Sequence, residues 1–345
     1  MKTGQDIGKV DLITGYEILN KIQESYPHAI YLATRKEDNT EVVLKTLIDQ
    51  YPRKEDIAGI RREYKIIHDL QADGVIHVHA LIPHGQGNLA MVLEYFGISL
   101  KQYLASLEKQ ILPLDQFFTI AIRLVKAISN VHDKRIVHKS IDPSNILIDP
   151  ATLDLRLIDF GSSSELSREH LDNINLTKKI EGSLAYISPE QTGRINRDID
   201  YRTDYYSLGV TFYQMLTGKL PYSANDPLEW VHCAISRQPP QANAVNNKIP
   251  AVLAELVAKL MAKNAEERYQ SSHGLIADLE KCRDQYSRGG DFTFQLAQTD
   301  VSRRFHIPQK LFGRENEIEK LESYFENAAE GAVEFCLVSG YSGIG

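Results

Sequence analysis

The sequence predicts an α+β protein with two unequal lobes, a small antiparallel sheet carrying one helix and a larger, mainly helical body. Two observations carry this expectation. Through residue 95 the apolar side chains alternate in short strand-like runs around one helical stretch, and beyond Gly97 they recur three and four residues apart. With 345 residues, 43% of them hydrophobic and 25% charged, the chain has globular proportions and room for two or three compact units.

The elements follow in order. Strand-like runs span 16–22, 29–34 and 41–47, separated by polar turns such as Lys36-Glu37-Asp38-Asn39. Residues 54–70 read as a helix, because Ile57, Ile60, Tyr64, Ile67 and Leu70 fall on one face. Two further strands are expected at 76–82 and 90–95. Phe117, Ile120, Ala121, Leu124, Ala127, Ile128 and Val131 trace the apolar face of a long helix, and Leu253, Leu256, Val257 and Leu260 trace another that opens near Pro250. Leu275 and Leu279 continue the pattern in a last helix, which gives way at Ser287-Arg288-Gly289-Gly290. A new helix is expected from Phe312 to Leu321 and a strand over 333–338, running into Gly340-Tyr341-Ser342-Gly343-Ile344-Gly345. The expected division is a leader at 1–15, a main unit at 16–286 with lobes 16–96 and 97–286, a connection at 287–310 and a further unit from 311 to 345. No period of 20 to 50 residues recurs, so solenoids and propellers are not expected.

Composition narrows the function classes. The net charge of −7 comes from intermixed acids and bases, so no basic footprint points to nucleic acid. Cys233, Cys282 and Cys336 are odd in number and far apart, which suits a reducing cytosol. The first residues lack the apolar core of a signal peptide, and no window holds the roughly 18 uncharged apolar residues of a membrane span. A cytoplasmic location is expected.

The chemistry is concentrated in Val137-His138-Lys139-Ser140-Ile141-Asp142-Pro143-Ser144-Asn145, followed by Asp159-Phe160-Gly161. Around these stand Lys45 in Val43-Leu44-Lys45, Glu63 on the next helix, Gly182-Ser183, Ser188-Pro189-Glu190, Asp204 and Arg268. In motif order, spacing and lobe composition, residues 16–286 resemble the eukaryotic-type Ser/Thr protein kinase family. The resemblance implies the bilobal kinase fold, ATP and Mg²⁺ as cofactors, and a protein substrate. Lys45 would hold the α- and β-phosphates and pair with Glu63; Asn145 and Asp159 fall at the magnesium positions; Glu94 and Phe96 fall at the hinge that meets the nucleotide. Ser183 stands where Ser/Thr-specific kinases carry a hydroxyl residue. The same analogy gives structural roles to His138 beside the D-F-G turn, to a Glu190–Arg268 pair, and to Asp204 as the anchor of the catalytic loop.

Three departures bear on activity. The glycine-rich loop aligns with Gln23-Glu24-Ser25-Tyr26-Pro27-His28-Ala29-Ile30, which has no glycine, and Pro27 removes an N–H donor from the phosphate cradle. Ser140 replaces the aspartate that takes the substrate hydroxyl's proton, a general-base role typically worth about 10² to 10⁴ in rate. Asp142 replaces a lysine directed at the γ-phosphate, so a negative charge stands where developing charge needs a positive one. Three readings stay open: a kinase-fold switch that binds ATP and Mg²⁺ but transfers poorly, a working Ser/Thr kinase with Asp142 as substitute base, and transfer of another nucleotide-derived group.

Several residues have plainer explanations. His77, His79 and His84 alternate near a strand, yet no cysteine or carboxylate cluster completes a zinc set. Cys282 lies on an apolar helix face as core. Ser162, Ser163, Ser164, Ser167 and Thr177 sit in the activation segment, where a phosphate could pair with Lys139 and where loop composition explains them equally well. Finally, Phe312-Gly313-Arg314-Glu315 and the terminal glycines resemble the start of an AAA-like or STAND-type P-loop ATPase. The chain would then end inside an incomplete α/β phosphate-loop segment, as a fragment of a longer signalling protein whose downstream domains are its partners.

Overall fold

The computed structural model describes residues 13–165, 183–195, 197–289 and 293–301, and scattered positions between 317 and 337. The chain divides into two units, Met1–Arg303 and Arg304–Gly345.

The first unit opens with β1 (Tyr16–Ser25), β2 (His28–Arg35), β3 (Thr40–Leu47), α1 (Lys54–Leu70), β4 (Val78–His84) and β5 (Asn88–Glu94). The strands form one antiparallel sheet in the order β1-β2-β3-β5-β4. Their two-residue period separates the faces. Ala29, Tyr31, Ala33, Val42, Leu44, Ala90 and Val92 close a small outer core with Ile13, while Leu47, Met91 and Leu93 join the main core under α1. α1 has the bounds that its apolar spacing predicts, and it buries Ile60, Glu63, Ile67 and Leu70 along one stripe.

Gly97 leads into the large lobe at φ +45°, where a Cβ would stand 2.1 Å from the Ile148 carbonyl oxygen, so only glycine fits this crossing. Next come β6 (Ile98–Ser99), α2 (Leu100–Ser106), α3 (Leu114–Asp133), β7 (Ile136–Val137), β8 (Ile146–Ile148), β9 (Leu155–Leu157) and β10 (Ser164–Glu165). Ser99 and Gln102 form a capping box at the start of α2. The remaining helices are α4 (Arg202–Thr217), α5 (Pro227–Ile235), α6 (Ala242–Val245), α7 (Ala251–Leu260) and α8 (Ser272–Arg288). In α4 every residue but Gln214 is buried, which is why it shows no one-sided stripe in the sequence.

The stretch after α8, expected as part of a connection, folds back onto the lobe. Asp300 accepts from the Gln270 amide at 2.7 Å and from Ser271 Oγ at 2.7 Å, and the Ala297 amide donates to Asp278 at 2.7 Å. In the second unit Glu317, Lys320, Leu321, Ser323, Tyr324, Phe325 and Asn327 are helical. The strand expected over 333–338 is not formed at the described positions Val333, Phe335, Cys336 and Leu337, which are exposed. These positions have no ladder partner among the described residues, and without one the β-pattern of the sequence cannot close its backbone hydrogen bonds. The leader to residue 12 and the terminal glycines lie outside the described residues. Among the described residues no helix is long and apolar enough to cross a membrane.

Candidate active site

The cleft is built from β3, α1 and the turn after β9. Lys45 lies mid-strand, opposite Ile30 on one side and Met91 on the other. Glu63 reaches it because helical spacing places that carboxylate in the buried stripe of α1. Lys45 Nζ donates to Glu63 Oε1 at 2.7 Å, to Glu63 Oε2 at 2.8 Å and to Asp159 Oδ1 at 3.1 Å. Burial alone would discharge the ammonium, but the two carboxylates outweigh it and raise its pKa, so Lys45 stays cationic. Arg62 donates to the Gly161 carbonyl at 2.7 Å, which ties α1 to the same turn.

The catalytic loop hangs from Asp204, a fully buried carboxylate at the start of α4. It accepts from the His138 amide at 2.8 Å, the Lys139 amide at 2.7 Å and His132 Nε2 at 2.8 Å. These bonds hold Lys139 at φ +66°, a left-handed conformation costly for a side-chain-bearing residue. The His138 ring packs edge-on to Phe160 at 4.6 Å. Its Nε2–H donates to the Ile158 carbonyl at 3.0 Å and its Nδ1 accepts from the Ser140 amide at 3.3 Å, a pattern only the neutral ring can make. Burial lowers its pKa accordingly, consistent with the packing role expected of it.

Ser140, Asp142 and Asn145 share one cluster. Asn145 Nδ2 lies 3.0 Å from Ser140 Oγ and 3.1 Å from Asp142 Oδ2, and Asp142 Oδ1 accepts from the Ser144 amide at 2.7 Å. Asp142 is 6% exposed and has no cationic partner among the described residues. Burial raises its carboxyl pKa. The Asn145 amide is thus spent as a donor within the loop, leaving its Oδ1 for a hard cation, and the Asp159 carboxylate is 43% exposed. These two oxygens suit a magnesium ion.

The rest of the predicted set is placed as follows. Glu94 Oε1 accepts from the His77 amide at 2.8 Å and from Arg156 Nε at 3.3 Å, and the Arg156 guanidinium stacks 4.5 Å from the Phe96 ring. Both side chains expected at the hinge therefore contact the Arg156 side chain. Glu24 pairs with Lys21 at 2.6 Å on the exposed side of the β1–β2 hairpin. Arg268 holds Glu190 through two bonds of 2.6 and 2.9 Å in full burial. Ser163 Oγ donates to the His138 carbonyl at 3.2 Å, and Ser164 pairs with Val137 across β10 and β7. Ser183 opens a short helical turn. Gly182, Ser167 and Thr177 lie outside the described residues.

The rings of His77 and His79 meet edge-on at 4.8 Å, whereas His84 Nε2 bonds Thr46 Oγ1 at 2.6 Å, so the three histidines do not converge. Cys282 is fully buried and its thiol is pushed up to about 12 by burial. One residue had no signal in the sequence: Gln191 donates to the Lys139 carbonyl at 2.9 Å, tying the end of the activation segment to the catalytic loop.

Comparison with known proteins agrees with this geometry. A probable serine/threonine-protein kinase of Clostridium perfringens is 31% identical over 279 residues, covering 80% of this chain and 39% of that protein. The serine/threonine-protein kinase PrkC of Bacillus subtilis is 28% identical over 275 residues, covering 78% of this chain and 40% of its own. Hybrid signal transduction histidine kinase G of Dictyostelium discoideum is 27% identical over 319 residues, 67% of this chain but 9% of that protein. The chain spans less than half the length of each of these relatives. The family model for the protein kinase domain matches residues 16–278, most of the chain, and with the intact Lys45–Glu63–Asp159 and Asp204 networks this means that the chain belongs to the protein kinase family.

Proposed function

We propose that this domain binds ATP with Mg²⁺, transfers the γ-phosphoryl group poorly, and serves chiefly as a nucleotide-responsive switch for other domains of a longer signalling chain. The observation that carries the reading is Ser140. By the kinase resemblance it stands where the aspartate base would be, and a nearby loop carboxylate, Asp142, is buried and engaged by Ser144 and Asn145. Asn145 and Asp159 would hold Mg²⁺, which neutralises phosphate charge when bound. Lys45 would orient the phosphates, held in place by Glu63. At neutral pH a serine hydroxyl cannot take the substrate's proton, so transfer should lie about 10² to 10⁴ below that of a domain with an aspartate there. The switch role is supported by relatives in which the kinase-like part is a small share of the chain.

A second reading has its own support. Asp142 shares the Asn145 amide with Ser140, and burial raises its pKa toward that of a useful base. In this reading the chain is an active Ser/Thr kinase.

Incubation with radiolabelled ATP, Mg²⁺ and generic protein substrates separates the two. Weak labelling by the natural chain, increased in Ser140→Asp and absent in Asp159→Ala, is the expected result. Robust labelling by the natural chain that Asp142→Asn abolishes would establish the second reading.

A further inference from the structure

Residues 294–300 run back along α8 and end on a seat that only glycine allows. The Lys281 ammonium lies 4.0 Å from the Phe294 ring centre, the Ala297 amide donates to Asp278, and a Cβ on Gly274 would stand 2.6 Å from the Asp300 Cα. Phe294, Leu296 and Ala297 pack against the main core but stay partly exposed, and the segment forms neither helix nor strand. A segment so lightly held opens at lower cost than the lobe beneath it.

Asp300 is one end of a continuous line of hydrogen bonds that reaches the catalytic loop. Its carboxylate accepts from the Gln270 amide and from Ser271 Oγ, and that same oxygen caps α8 by accepting from the Gly274 amide at 3.0 Å. Gln270 in turn holds the start of α4: its Oε1 accepts from Arg202 Nη1 at 2.7 Å and its carbonyl from the Tyr201 hydroxyl at 2.8 Å. Two residues on, Asp204 carries the His138 and Lys139 amides. The Arg202 guanidinium is buried, so a displaced Gln270 would leave it short of an acceptor where water does not replace one.

We propose that residues 294–300 are a regulatory strap. Seated on Gly274, they fix Gln270 and with it the start of α4 and the catalytic loop; a pull from the chain beyond them unseats Asp300 and loosens that loop. This rests on the reading of the domain as a switch for other domains, and it gives that switch a physical link. The coupling is reciprocal, so a ligand that orders the catalytic loop tightens the strap.

Hydrogen exchange of the full chain, read by mass spectrometry on peptides over 116–128, 136–142 and 294–300, tests this in the natural sequence, Asp300→Ala and Gly274→Ala. One substitution removes the carboxylate; the other puts a methyl group into the space of the Asp300 backbone. Both should speed exchange roughly tenfold over 294–300 and over 136–142, the effect of losing one hydrogen bond to a charged group. The 116–128 peptide, from the core of α3, should not change. Faster exchange at 294–300 with none at 136–142, or an equal rise at 116–128 from general destabilisation, would overturn the strap and leave the switch reading to the labelling assay. Unchanged exchange at 294–300 would show that Asp300 and Gly274 do not seat the segment, which overturns the proposal as well.

Discussion

Asp204 shows how much one side chain can carry. Two backbone amides and His132 converge on a carboxylate that is 0% exposed, so the position and left-handed turn of the catalytic loop depend on its charge. Burial opposes its ionisation, yet the hydrogen bond and charge of His132, with the hydrogen bond from the His138 backbone amide, hold its pKa below the ordinary carboxylate value. Glu190 follows the same logic, with Arg268 outweighing burial. A depressed folded pKa gives stability that is fully present above the unfolded value, about 3.9 for aspartate, and lost as pH falls through the folded value. Urea denaturation should therefore show stability declining below about pH 4. Asp204→Asn should cost about 3 kcal/mol at pH 7, because it turns an amide group toward two N–H donors, and the acid-side decline should be shallower in that variant.

At the scale of elements, the site depends on where α1 and α4 are held. The apolar spacing of α1 fixes its rotation, and that rotation presents Glu63 to Lys45. α4 is positioned by close approach to α7: a Cβ on Gly209 would lie 2.7 Å from Leu260 Cβ and 2.9 Å from Met261 Cγ. Gly209→Ala should therefore lower stability by about 1–3 kcal/mol through overpacking, despite alanine's better helix propensity of about 1 kcal/mol. A higher midpoint in thermal unfolding would contradict this. The bounds of α1 were legible because one face is wet and one dry. α4 had no such contrast, since all of it but Gln214 is buried.

For the whole molecule, the end of the first unit is decided by contacts and not by composition. Sequence reading ends the main unit at 286, near the glycines after α8, yet Ala297 and Asp300 bond back to Asp278, Gln270 and Ser271. A fragment ending at Val301 should be about 1–3 kcal/mol more stable than one ending at Gly289, the value of three part-buried hydrogen bonds to the carboxylates of Asp300 and Asp278. Equal urea midpoints for the two fragments would show that the docked segment contributes nothing.

By itself the sequence determined the two-lobed architecture, the order of the kinase motifs, the loss of the aspartate at Ser140 and the absence of glycine from the β1–β2 hairpin. Each of these is written in local spacing or residue identity. Tertiary structure alone decided that Ser140, Asp142 and Asn145 share one amide, that Glu24 turns to Lys21, and that Glu94 and Phe96 meet Arg156. Periodicity says which face a residue occupies, but contacts such as Lys45 with Asp159, 114 residues apart, exist only once the chain has closed on itself.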